Sequence, residues 1–436
     1  MNRQEIYRPL VERNLENYQV QYLARRYDFG KESRIAALIA AEVNRRMDEV
    51  ETCLGVRRAR PFELCIHRRG QEVTLPLFRP EYLQPILAGG TFAEARSMVF
   101  DASSQRLRQV HPPVEPEEVL AIIDLWALVR GKGPNRYVDN LQSCVTPLDE
   151  QDTAAWKKEI DSIRPKLPTA RLGVLDLSAP HSVVKGLVEF AVTEAGLGPV
   201  VARQLVEELI TLRNICCPLT RQLKHGEMPL LATHVHAGLS EELAARFRQQ
   251  APVILTVWTP EELKRRPRNV PECLAQLKKR IVRVCFEAYR QNGLLSLMDL
   301  QWIFQISTAR ISELIRSFQK EHNIVVPTPG TVLDAGRSMT HKDIIVKLHL
   351  QGYTVKEIGK ITYHSPRSVD NYVGTFQSVL ILRLFNVPPR LMARLLRKSP
   401  YLIKEHVELV RQFYPNEDHL RQYLREQGVN FQSIIS

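Results

Sequence analysis

Along most of the chain apolar residues recur every three or four positions, the spacing of helices that bury one face. Residues 3–26 and 31–52 are expected to be helices, the second with Ile35, Leu38, Ile39, Val43 and Met47 along one side. Further helices are predicted between the Pro-rich joint HPPVEPEE (111–118) and Arg130, and over 181–195 and 199–213. Two places change period. Residues 62–78, FELCIHRRGQEVTLPLF, alternate around an Arg-Gly pair as a β-hairpin does. An extended pair is expected around Leu230–His236 and Val253–Trp258. A polar, proline-spotted stretch over 145–170 has the character of a linker around one short helix, and KRRPRNVPE (264–272) opens the C-terminal part.

Two repeats stand out in this pattern. In the first 260 residues, Phe29-Gly30, a helix and LCIHRRG parallel Leu197-Gly198, a helix and LATHVHAG. Gly30 lies 37 residues before His67, and Gly198 lies 36 before His234, as a helix-then-strand unit used twice would require. The C-terminal repeat is sharper and has three copies, anchored on Ser307, Ser365 and Ser399. Seven residues before each serine stands Leu300, Ile358 or Met392, and four before stands Ile303, Ile361 or Leu395. Four after come Ile311, Val369 and Ile403; eight after, Ile315, Val373 and Val407; eleven after, Phe318, Phe376 and Val410. Each copy therefore predicts a short helix, a break of about three residues and a second helix starting at the serine.

That pattern suits a helix-turn-helix. A serine side chain caps the second helix by accepting from one of its free backbone N–H groups. Pro366 and Pro400 follow at the first helical position, where a missing N–H costs nothing. Close crossing needs a small residue in the first helix, and Gly359 and Ala393 supply it, whereas the first copy has Gln301. The turn position often filled by glycine is Gln305, Tyr363 or Arg397. In this motif the second helix enters the DNA major groove with its first turn toward the bases. The residues placed there are Ser307, Thr308, Arg310, Ser312 and Arg316 in the first copy. In the middle copy they are His364, Ser365, Arg367, Ser368 and Asn371, and in the last Lys398, Ser399, Tyr401 and Lys404. Arg367 suits a guanine edge and Asn371 an adenine edge, each through two hydrogen bonds. EHNIVVPTPGTVLD, after the first copy, has room for a small β wing.

Charge adds a partner to this picture. The net charge is +12, and residues 261–436 hold 27 Lys+Arg against 16 Asp+Glu, whereas the first 260 residues are nearly balanced at 33 against 32. Concentrated positive charge points to a polyanion, here double-stranded DNA. No apolar run approaches the ~18 residues of a membrane span, so no membrane partner is expected. The start, MNRQEIYRPLVERN, carries charges where a signal peptide needs an apolar stretch. The 7 cysteines include no CxxC pair and suit reduced thiols in a cytoplasm.

Residues from about Pro252 to Phe413 resemble a prokaryotic family catalogued as domain of unknown function 1670. The stretches carrying the resemblance are LKKRIVRVCFEAYRQNGLLSLMDLQWIFQIS, NIVVPTPGTVLDAG and HKDIIVKLHLQGYTVKEIGKITYHSPRSVDNYV, with LGPVVARQLVEELI and RQLKHGEM upstream. The resemblance implies a DNA-binding protein of bacteria or archaea. It implies no established activity and supplies no catalytic residues.

Signals for other chemistry are thin. His234 and His236 share one side of a predicted strand, and with Cys216, Cys217 and His225 upstream a four-ligand zinc site is conceivable. The spacing matches no known zinc pattern, however, and no metal or cofactor is expected. Ser182-Val-Val-Lys185 lacks the companion motifs of Ser-x-x-Lys enzymes. There is no phosphate loop, HExxH or GxSxG, and paired acids such as Glu117-Glu118 and Glu207-Glu208 suit solvated helix faces.

The expected protein is mainly α: a helical N-terminal part with short β-hairpins and a C-terminal part of tandem helix-turn-helix units. The expected divisions are an α+β domain over 1–110, a mostly helical one over 111–260, the first helix-turn-helix over 261–335, and the second and third over 336–436. The expected function is sequence-specific duplex DNA binding as a transcriptional regulator rather than an enzyme. The alternative is a mobile-element protein, transposase or recombinase-like, using the same motifs and marked by converging carboxylates. A homodimer is the default for readers of palindromes, whereas three motifs in one chain also suit a monomer on a long asymmetric site.

Overall fold

The computed structural model describes residues 3–27, 33–68, 70–109, 181–237, 249–259, 262, 270–322, 324–333 and 342–426. The joint at 111–118, the helix ending at Arg130 and the linker at 145–170 lie outside these residues. Among the described residues the protein is mainly helical, with two small antiparallel sheets. Among the described residues no helix is long and apolar enough to cross a membrane. The chain divides into two compact units, Met1–Ser317 with Val326–Pro329, and Phe318–Val325 with Gly330–Ser436.

In the first unit, α1 (Arg3–Val11), α2 (Leu15–Arg26) and α3 (Ser33–Cys53) precede a hairpin of β1 (Glu63–Arg68) and β2 (Gln71–Pro76). Then come α4 (Gln84–Leu87), α5 (Phe92–Arg108), α6 (His181–Ala195) and α7 (Pro199–Cys216). The single helix expected over 3–26 is two. Asn14 stands in extended conformation and caps α2, its side chain accepting from the Asn17 N–H at 2.9 Å. The break lets Arg13 turn inward, where its buried guanidinium binds Asp299 and donates to Thr233 Oγ1 at 2.9 Å. Leu23, Ile39, Val43 and Met47 form one core with Leu187, Leu205 and Leu209 of α6 and α7. Leu38, grouped with them by spacing, is 48% exposed.

A second sheet has the order β4-β3-β5, with β3 (Glu227–His234), β4 (Gln250–Thr256) and β5 (Gly293–Leu294) antiparallel. Gly293 is required there: a Cβ would come within 2.8 Å of Ala232 and 2.7 Å of Val253. α8 (Val270–Arg290) lies along β4 and satisfies its outer edge. Glu287 accepts from the Thr256 N–H at 2.7 Å, and the Gln291 amide bonds both backbone groups of Ile254. An edge so covered offers no ladder to another strand. α9 (Leu297–Phe304) and α10 (Thr308–His322) follow, then α11 (Pro329–Val332).

Among the described residues the expected β wing does not form. Residues 324–328 form no strand, and 329–332 are a single helical turn. Pro327 and Pro329 have no N–H to give a ladder, while Val325, Val326, Thr328 and Thr331 are buried rather than alternating in and out.

The second unit is a run of helices: α12 (Lys342–Leu350), α13 (Val355–Thr362), α14 (Pro366–Leu384), α15 (Pro389–Leu395), α16 (Pro400–Phe413) and α17 (Glu417–Glu426). Ile344, Ile345 and Leu348 of α12 pack with Ile358 of α13 and with Val369 and Val373 of α14. Farther along α14, Phe376, Val379 and Leu380 pack with Met392, Ile403, Val407 and Val410, and with Leu420 and Leu424 of α17. One long helix thus serves two cores.

Candidate nucleic-acid interface

Each serine-anchored segment folds as a short helix, a break of three or four residues and a second helix: α9 with α10, α13 with α14, and α15 with α16. In all three the residue two before the serine is left-handed, with φ 55° at Gln305, 59° at Tyr363 and 51° at Arg397. These are the positions where glycine is common, and a non-glycine residue there costs roughly 1–2 kcal/mol. The surrounding bonds hold the turn. The His364 N–H donates to Gly359 O at 3.1 Å and the Lys398 N–H to Ala393 O at 3.0 Å, the C-terminal closure typical of a left-handed cap.

The serines then cap the second helices. Ser365 Oγ accepts from the Ser368 N–H at 3.1 Å, Ser399 Oγ from Leu402 at 3.2 Å, and Ser307 Oγ from Arg310 at 3.4 Å. Thr354 and Glu357 cap each other's backbone at the start of α13. With two hydrogen bonds from Thr354, the Glu357 carboxyl is held below its ordinary range. At Gly359 a Cβ would stand 2.8 Å from His364 O, so only glycine permits this close approach of the turn.

The three pairs differ in what surrounds them. The first is built into its unit: α9 is buried from Asp299 onward, and Gln305 is 1% exposed. Gln305 Nε2 donates to Leu77 O at 3.0 Å, and Trp302 packs edge-on against Phe78 and Phe92. Ser307 is exposed and Thr308 half-buried, but Arg310 is held by Glu313 at 2.7 Å. Arg316 is exposed and bonds the carbonyl and hydroxyl of Ser312, both at 3.2 Å. Ser312, expected on the outer face, is 8% exposed because α10 turns that side toward the core.

In the second pair, Arg367 and Asn371 are exposed one helical turn apart. Neither side chain has a hydrogen bond or ion pair among the described residues. Asp370 is exposed beside them. Ser365 is exposed but its oxygen is committed to the cap, with half-buried Ser368 Oγ at 2.9 Å. His364 is half-buried, its Nδ1 2.7 Å from Thr362 O and its ring edge-on to Tyr372.

In the third pair Tyr401 is 73% exposed, Lys404 lies exposed one turn on, and Lys398 is half-buried. Ser399 is again the cap. Leu395, expected in the core four residues before the serine, is 57% exposed, because the short α15 buries Met392 and Ala393 instead. Lys356 and Lys360 on α13, and Arg390 and Arg394 on α15, are also exposed. A template confined to the second helices passes over Lys356, Lys360 and Arg390; a spacing of four, to each other or to Arg394, is the signal that finds them.

The histidine and cysteine candidates do not assemble. Cys216 and Cys217 are buried, and burial pushes both thiols up, Cys217 to about 11. His225 Nδ1 lies 3.0 Å from the backbone of His67. His234 ends β3, and its Nδ1 accepts from the His236 N–H at 3.1 Å in the turn that follows. Among the described residues no three His, Cys, Asp or Glu side chains are placed to hold a metal ion.

Residues 194–409, which include α7, β3, β4 and most of the three helix pairs, match the profile of a family described as Protein of unknown function (DUF1670). No curated protein and no solved structure matches the chain.

Proposed function

We propose that the chain, whose residues 194–409 match that family's profile, binds duplex DNA in a sequence-specific way and regulates transcription. The observation carrying this reading is the first turn of α14. A capped helix presents Arg367 and Asn371 outward on one face, without partners among the described residues. Arginine fits the two acceptors of guanine and asparagine the acceptor–donor pair of adenine. Lys404 and Tyr401 take the corresponding place on α16. Lys356, Lys360, Arg390 and Arg394 are the phosphate contacts, which position the protein without reading sequence. The first pair acts as framework, because its turn is buried and its arginines are engaged by Glu313 and Ser312.

The test is selection of bound duplexes from a random pool with the full chain, followed by anisotropy on the selected site. Arg367→Ala should cost about 1–3 kcal/mol at one base pair and relax choice there. Arg394→Ala should weaken all sequences alike and lower the salt slope by about one. Unchanged affinity of the Arg367→Ala protein for both selected and scrambled duplexes would remove this side chain from the interface. A palindromic selected site indicates a dimer, and a long asymmetric one indicates a monomer using both helix pairs.

A further inference from the structure

In the first unit, one face of α2 and the start of β4 line a cavity of about 400 Å³, within the roughly 300–1,000 Å³ of small-molecule sites. Tyr18, Gln21, Tyr22, Arg25 and Arg26 come from α2, and Gln250 from β4. Their spacing in α2 puts all five on adjoining rows of the helix. The lining is selective in its chemistry: two aromatic rings, two primary amides and two guanidiniums, with no aliphatic side chain.

The charges are not balanced within it. Arg26 is paired with Glu208 at 2.9 Å, whereas Arg25 is exposed and has no hydrogen bond or ion pair among the described residues. Gln250 is 7% exposed, and its Oε1 has no hydrogen-bond partner, although a buried amide oxygen normally has one. An aliphatic acid would leave the rings and amides unused, and a neutral heterocycle would leave Arg25 unused. A planar ring with hydrogen-bonding edges and a phosphate uses all three.

We propose that this cavity binds a small planar anion of the mononucleotide class. Its ring lies against Tyr18 and Tyr22, its polar edge bonds the amides of Gln21 and Gln250, and its phosphate meets Arg25. Stacking on aromatic side chains and amide readout of base edges are the general means by which proteins hold nucleobases. The site is separate from the DNA-reading helices and does not depend on that assignment.

Equilibrium dialysis of the full chain against AMP, GMP, CMP and UMP, each alone, and against inorganic phosphate tests it. At least one nucleotide should bind saturably at one site per chain, with a Kd between about 1 μM and 1 mM. Phosphate should bind at least about tenfold more weakly. Arg25→Ala and Tyr22→Ala should each weaken the nucleotide by about tenfold or more, with circular dichroism melts confirming the fold. If Tyr22→Ala melts early, Tyr22→Leu keeps the bulk without the ring and takes its place. No saturable binding of any nucleotide, phosphate binding as tightly, or affinity undiminished in Arg25→Ala would each overturn the assignment.

Discussion

His406 is fully buried in α16 with neither ring nitrogen hydrogen-bonded. Burial first, then the Lys342 charge, push its pKa down to about 4; Glu405 opposes them, and Lys398 adds the least. The folded ring stays neutral while the unfolded one takes up a proton below about pH 6.5. This group therefore costs no stability above pH 6.5, and the cost grows as pH falls toward about 4, reaching at most ~3 kcal/mol. Denaturant unfolding at pH 7 and pH 4.5 should show that loss, and His406→Leu should remove it. An equal acid sensitivity in the variant would mean that other groups titrate.

The buried Arg13–Asp299 pair makes a second residue-scale prediction. Asp299→Ala leaves Arg13 charged, buried and held by Thr233 alone, at an expected cost of about 3–5 kcal/mol in urea unfolding. The sequence hides both features. Spacing places His406 beside the apolar positions of α16 without revealing the missing partners, and Arg13 and Asp299 are 286 residues apart.

At the scale of elements, the two glycines of the second helix pair should respond in opposite directions. Gly359 faces His364 O at a distance no Cβ tolerates, whereas Gly374, inside α14, has open space around it. Gly359→Ala should destabilise by about 1–3 kcal/mol through overpacking. Gly374→Ala should stabilise by about 0.5–1 kcal/mol through helix propensity. Thermal melts that move in the same direction for both would refute the close-approach account.

Helices and hairpins were legible because their apolar period is written locally. The helix at 181–195 and the hairpin at 63–76 stand where that period puts them. Three features escaped it for identifiable reasons. The break at Asn14 is set by a long-range destination for Arg13, and the wing fails because its prolines and inward valines suit a buried extended segment. Leu395 is exposed because α15 turns Met392 and Ala393, with Leu396 just after it, toward the core instead. The left-handed turns at Gln305, Tyr363 and Arg397 carry no glycine mark at all; only the spacing of their neighbours reveals them.

For the whole molecule, periodicity identifies three similar helix pairs but does not say what covers each turn. The Leu77 carbonyl and the rings of Phe78 and Phe92 cover the first, from elements more than 200 residues earlier. The surplus of positive charge beyond residue 260 belongs to this scale too: under the proposed function it would set the strength and salt dependence of DNA binding rather than its specificity.

The most direct measurement is anisotropy of the full chain on a selected duplex across a salt series, with Arg367→Ala and Arg316→Ala beside it. The account predicts a steep log–log dependence of affinity on salt. It also predicts about a tenfold or greater loss of discrimination in Arg367→Ala and wild-type behaviour in Arg316→Ala. No salt-dependent binding, or a loss confined to Arg316→Ala, would contradict it.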